Sequence, residues 1–211
     1  MATAADNPDG AISRYWLNCV SDNANHLHDY GRLQWAARHR IASRARGVLK
    51  LDFEAAELTA ASFSDLVERA RETGSRTSLT SFGNAGYDLV KAEYFGGAFE
   101  HDVQQRAEAL RMLDAIEDSW SGFAINGVQS LRLMRGQIAL LESDPPLEQL
   151  TTTFLSVSRQ ATNENTGRRA LVAAVRSGVV GSAAVWTRLE ELLGGLDPVR
   201  APGEFAVLSG L

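Results

Sequence analysis

Between Glu100 and Leu141 apolar residues return with helical spacing for longer than anywhere else in the chain, and this stretch constrains the fold most. Ala109, Leu113, Ile116 and Trp120 recur at steps of four, three and four. Leu110 and Met112 widen that stripe, while Glu108, Arg111, Asp114 and Asp118 fall outside it. The rhythm resumes as Ala124, Val128, Leu131, Met134, Ile138 and Leu141, with Gln129, Arg132 and Arg135 on the opposite face. Two long amphipathic helices follow from this pattern. Ser119 to Gly127 between them reads as a tight turn or a kink, and a tight turn makes the pair an antiparallel hairpin. A hairpin with so wide a stripe needs further partners, because it would otherwise leave a large apolar surface in water.

The rest of the chain supplies those partners. Trp16, Cys19, Val20 and Leu27 share one helical face, and Leu33, Ala37, Ile41, Ala45 and Val48 share another on a helix that Gly47 closes. Leu49, Leu51 and Phe53 alternate with polar residues, as in a short strand or an extended connector. Ser62 and Asp65 have the spacing of a capping box, so a short helix is expected from about Phe63 to Gly74. The polar, Gly-containing run from Ser75 to Gly86 reads as a surface loop, followed by a helical turn or two at Tyr87, Val90 and Tyr94.

Asp144-Pro145-Pro146 marks the sharpest boundary: proline cannot continue one helix but suits the start of the next, with Asp144 as its cap. That next helix carries Leu147, Leu150, Phe154, Val157 and Ala161. Asn163 to Gly167 is a connector, and a last long helix runs from Leu171 to Leu193. Gly178 and Gly181 inside it call for close packing or a break.

The expected architecture is therefore all-α: an irregular multi-helix bundle with a central antiparallel hairpin and an extended C-terminal tail. Residues 1–10 form a flexible N-terminus, 11–195 a single helical domain, and 196–211 an extended docking segment. Leu113, Ile116, Trp120, Leu131, Ile138, Phe154 and Trp186 are assigned to a shared core.

At 211 residues with 45% apolar and 22% charged residues, the chain has the composition of a folded protein. Its one cysteine, Cys19, excludes an internal disulfide framework, and no uninterrupted apolar run is long enough to span a bilayer. An N-terminal secretory signal is not recognisable either, so a cytoplasmic or other intracellular setting is expected. The formal net charge of −5 is uneven: residues 1–50 hold seven Lys/Arg against four Asp/Glu, and residues 51–120 hold six against fourteen. Such asymmetry marks either surfaces used for assembly or two regions that interleave within one fold.

Three groups of residues carry candidate chemistry. His26, His28 and Asp29 form the one cluster with metal-ligand character. His28-Asp29-Tyr30-Gly31-Arg32 resembles the His-Asp-x-Gly-Lys step of HD-domain phosphohydrolases. The resemblance covers five residues and departs from that family at its first histidine, which lies well upstream on an earlier helix. Arg38, Arg40, Arg44, Arg46 and Lys50 form the one basic run, which suits either phosphate contact or pairing with the acidic segment. Phe205, Val207, Leu208 and Leu211 make the tail too apolar for a solvated linker, so it docks on its own domain or on a neighbouring subunit. The phosphate-loop, dinucleotide, nucleophile-elbow, zinc-helix and calcium-loop signatures do not occur.

These features are read as those of a non-enzymatic interaction protein, a structural or accessory subunit whose partner is another protein or a second copy, with no cofactor and no membrane. The alternatives are a helical metal-dependent hydrolase using His26, His28 and Asp29, and a protein contacting nucleic acid through Arg38 to Lys50.

Overall fold

Asp29 begins the first helix that can be followed, its carboxylate accepting from the Arg32 backbone N–H at 3.1 Å. A computed structural model describes residues 29–120, 124–162, 164–177 and 183–195. Among them it contains eight α-helices and no strand. In chain order these are α1 (Tyr30–Leu49), α2 (Ala60–Glu72), α3 (Arg76–Phe95), α4 (Val103–Trp120), α5 (Ile125–Ala139), α6 (Leu147–Gln160), α7 (Glu164–Arg176) and α8 (Ala183–Gly194). The all-α expectation holds. The expected helix over residues 12–27, the N-terminal ten residues, Cys19, and residues 121–123 of the turn or kink expected at Ser119 to Gly127 lie outside the described residues, as does the tail. No described helix is long and apolar enough to cross a membrane.

The chain forms two units, Met1–Phe123 and Ala124–Leu211, so the single domain expected over residues 11–195 contains both. In the first, α3 packs on α1, α2 and α4, and α2 also packs on α4. Ile41, Phe63, Phe82, Leu89, Phe99, Leu113 and Ile116 are all fully buried.

The most consequential correction is α3 itself, because its first half is the segment read as a loop. Ser75 caps it by accepting from the Ser78 N–H at 3.2 Å, and the helix runs on through Gly83 and Gly86. The two glycines looked like loop residues because each weakens an isolated helix by about 1 kcal/mol. Here they let rings reach the backbone: a Cβ on Gly83 would lie 2.5 Å from the Trp120 indole, and one on Gly86 would overlap the Phe63 ring. Close aromatic packing thus outweighs propensity.

Smaller corrections follow the same logic of local geometry. The helix containing the Leu33-to-Val48 stripe passes Gly47 and ends at Leu49, capped by Lys50 in the left-handed region at φ 57°. Leu49 closes the helix and residues 50–54 are a connector rather than a strand, followed by a 3-10 turn at Ala55–Glu57. Helix α2 starts one turn earlier than expected, because Thr59 rather than Ser62 is its cap and Ser62 supplies the reciprocal bond.

In the second unit α6 packs on α7, α5 packs on both, and α8 packs against α6 and α7. The core joins Leu133, Leu150, Phe154, Leu155, Val157, Ala170, Leu171, Ala174, Val185 and Leu189. Gly136 repeats the device of the first unit, since a Cβ there would overlap the Phe154 ring. Helix α6 begins directly after the two prolines, but Pro146 takes the cap position and no side chain bonds there, so Asp144 is not the cap. Residues 164–167 of the expected connector are the first turn of α7, and Asn163 lies outside the described residues. The expected single last helix is two helices: α7 ends at Arg176, ahead of Gly178, and α8 begins at Ala183.

Of the seven residues assigned to the core, Leu113, Ile116 and Trp120 are buried in the first unit and Leu131, Ile138 and Phe154 in the second. Trp186 is not a core residue, with 42% of its surface exposed. Val185 and Leu189, four apart, carry the buried face of α8 and turn Trp186 about 100° away from it.

Candidate functional site

The helices α1 and α3 run antiparallel, which sets the basic run of α1 beside carboxylates of the acidic segment. Arg40 pairs with Asp88 at 3.0 Å. Arg38 pairs with Glu93 at 3.3 Å and donates its other terminal nitrogen to the Leu58 carbonyl at 3.1 Å. Arg46, beyond the reach of α3, turns to the connector and pairs with Glu54 at 2.7 Å while donating to the Phe53 carbonyl at 3.2 Å. Three of the five basic residues are therefore engaged inside the first unit. Among the described residues Arg44 and Lys50 form no ion pair. The charge asymmetry of the sequence is in this part an intramolecular pairing.

Burial opposes ionisation of the carboxylates in this seam. Asp88 is pushed above the usual carboxylate range by its burial, against the pull of Arg40 and Lys91. Glu93 is raised for the same reason, against Arg38. His39, with the Trp35 ring 4.3 Å away, is shifted downward by burial and by Arg46, with Glu54 opposing. Its Nδ1 is buried without a hydrogen-bond partner.

Beside the Arg38–Glu93 pair lies a cleft of about 410 Å³. Helix α1 contributes Gln34 and Arg38, α3 contributes Leu89 and Glu93, α4 contributes Gln105, Glu108 and Met112, and the start of α2 closes the end. The floor is apolar and buried at Leu58, Ala60, Leu89, Ala109 and Met112. Glu108 accepts from the Ala60 N–H at 2.9 Å, completing the N-terminus of α2 from a distant helix, and also pairs with Arg111.

Sequence reasoning missed Glu93, Asp88 and Glu108. The signal for Glu93 was present: Leu79, Phe82, Gly83, Gly86, Leu89 and Val90 are a helical stripe, and Glu93 continues it. A carboxylate in line with an apolar face needs a buried partner. Reading the glycines as loop residues hid that pattern.

Of the remaining candidates, Asp29 caps α1 and pairs with Arg32 at 3.1 Å. His26 and His28 lie outside the described residues, as do Phe205, Val207, Leu208 and Leu211. Among the described residues no group of three or more His, Cys, Asp or Glu side chains is placed to hold a metal ion.

A second surface feature sits where α3 ends beside the start of α1. Tyr30 stacks on Phe95 with ring centroids 6.1 Å apart, and Tyr94 meets the same ring edge-on at 5.2 Å. Phe95 remains 42% exposed. Gly96 follows, and a Cβ there would lie 3.3 Å from that of Tyr30, so the glycine lets the two helix ends meet. The chain matches no protein-family model, no curated protein and no solved structure.

Proposed function

We propose that this chain is a non-enzymatic helical interaction protein, an accessory or structural subunit that binds another protein or a second copy of itself. The observation that carries this reading is the aromatic group at the end of the first unit. Tyr30, Tyr94 and Phe95 order one another, yet Phe95 keeps 42% of its surface in water. Rigid aromatic rings that stay partly exposed are the side chains most enriched at protein interfaces. Trp35, on α1, is exposed to the same extent. The apolar tail residues Phe205, Val207, Leu208 and Leu211 add a second contact element to the same reading.

Light scattering and purification of the tagged chain from its own host test the proposal. The intact chain should run above its monomer mass or retain a partner in fixed stoichiometry. Phe95→Ser, or deletion of residues 204–211, should abolish that association while circular dichroism stays unchanged. A chain that is monomeric at every concentration and retains no partner would contradict the reading.

A further inference from the structure

The cleft between α1, α3 and α4 has a hydrogen-bonding balance that selects a ligand class. Its positive groups are already used. Arg38 gives one terminal nitrogen to Leu58 and the other to Glu93, and the leading N–H of α2 is taken by Glu108. What remains is a carboxylate with capacity to accept and two neutral amides that can accept or donate. Glu93 receives a single bond, from Arg38, and its side chain is only 17% exposed. The side-chain amides of Gln34 and Gln105 make no hydrogen bond among the described residues. Beneath them Leu58, Leu89, Ala109 and Met112 form an apolar floor.

We infer that this cleft binds an organic ammonium group on a short apolar stem, with the head at Glu93 and the amide oxygens of Gln34 and Gln105 and the stem on the apolar floor. An anion is disfavoured because the lining carries Glu93 and Glu108 against Arg38 alone, and Arg38 is already committed to Glu93 and Leu58, which leaves only the neutral amides of Gln34 and Gln105 to donate. The incomplete compensation of buried Glu93 by Arg38 points the same way, since a second donor there offsets its lost hydration. A free alkylamine and a lysine side chain of a polypeptide share this chemistry. The inference rests on the first unit alone and is independent of the proposed interaction role.

Butylammonium chloride is the probe, titrated into the intact chain while the Met112 methyl and the Gln34 and Gln105 side-chain amides are followed by NMR. Saturable shifts at all three are expected, with tetramethylammonium, which has no N–H, giving none. Glu93→Gln should weaken the response by about tenfold or more, the consequence of losing a charge-assisted bond. Should that variant unfold, Gln105→Trp fills the cleft from an exposed position of α4 and should block the response while leaving the fold intact. Tighter binding of Nα-acetyl-lysine methylamide than of butylammonium would assign the site to a polypeptide lysine, and equal or weaker binding to a free amine. Absence of saturation, an equal response to tetramethylammonium, or an undiminished response in the folded variants would overturn the inference.

Discussion

The two units bury their apolar faces in the same way, and the polar links described in each have a different chemistry. In the first, the polar links are charges: Arg38 with Glu93, Arg40 with Asp88 and Arg46 with Glu54. Among the links described in the second are hydroxyls and amides. The Thr151 and Ser177 hydroxyls lie 2.7 Å apart, one donating to the other, while the accepting hydroxyl gives its own proton to a carbonyl of its helix, Leu147 for Thr151 or Ala174 for Ser177. Gln129 donates to Gln160 at 3.1 Å, and Arg188 binds the Ser158 carbonyl at 2.8 Å. Neutral groups can be buried with their bonds completed locally, whereas each buried carboxylate needs a cation from another segment. The shifted titrations among the described residues lie in the first unit, at His39, Asp88 and Glu93, with burial the first cause of each.

Shared packing gives the largest expected effect. Phe154 is fully buried and lies against Gly136, as Phe63 lies against Gly86. Truncation of either ring to alanine should destabilise the protein by about 3–5 kcal/mol in a denaturant melt. A change below about 1 kcal/mol for one of them would show that the two units do not share the device.

The polar links should differ in size. A double-mutant cycle on Thr151→Val and Ser177→Ala should return a coupling of about 0.5–1.5 kcal/mol, because both hydroxyls are buried. The same cycle on the exposed pair Arg71 and Glu68 should return about 0.2–0.5 kcal/mol and vanish in high salt. Equal couplings would remove the distinction between a buried hydroxyl link and an exposed ion pair within one helix.

The charged seam predicts two pH slopes of opposite sign. Asp88 and Glu93 have raised folded pKa values, so their contribution is full below the unfolded carboxylate range and is lost as pH rises through the folded value. His39 has a lowered folded pKa, so its contribution is present above the unfolded imidazole value and is lost as pH falls below it. Stability measured against pH should lose the first slope in Asp88→Asn and Glu93→Gln and the second in His39→Gln. An unchanged profile in all three variants would place these groups in water.

How much of this was legible in the sequence depended on whether a residue's neighbours were near it in the chain. Helices α4, α5 and α6 follow from apolar periodicity and the Pro145-Pro146 stop, both local signals. The partners of the basic run were anticipated only as a segment, since pairing Arg40 with Asp88 requires knowing that α1 and α3 run antiparallel. Helix α3 was illegible in its first half because the reason for its glycines, the rings of Phe63 and Trp120, comes from two other helices. The same cause misplaced Trp186, whose apolar character gave no sign that the register of α8 is set by Val185 and Leu189.

The central claim is that α3 organises the first unit through ring-to-backbone contact at its glycines, and Gly83→Ala tests it by sign. In a surface loop or an exposed helix the substitution would be neutral or would stabilise by up to about 1 kcal/mol. Beneath Trp120 the new methyl meets the indole at 2.5 Å, so the account predicts a loss of about 1–3 kcal/mol that shrinks or reverses when Trp120 is first replaced by leucine. A stabilised Gly83→Ala protein, or a loss of the same size with and without the indole, would contradict it.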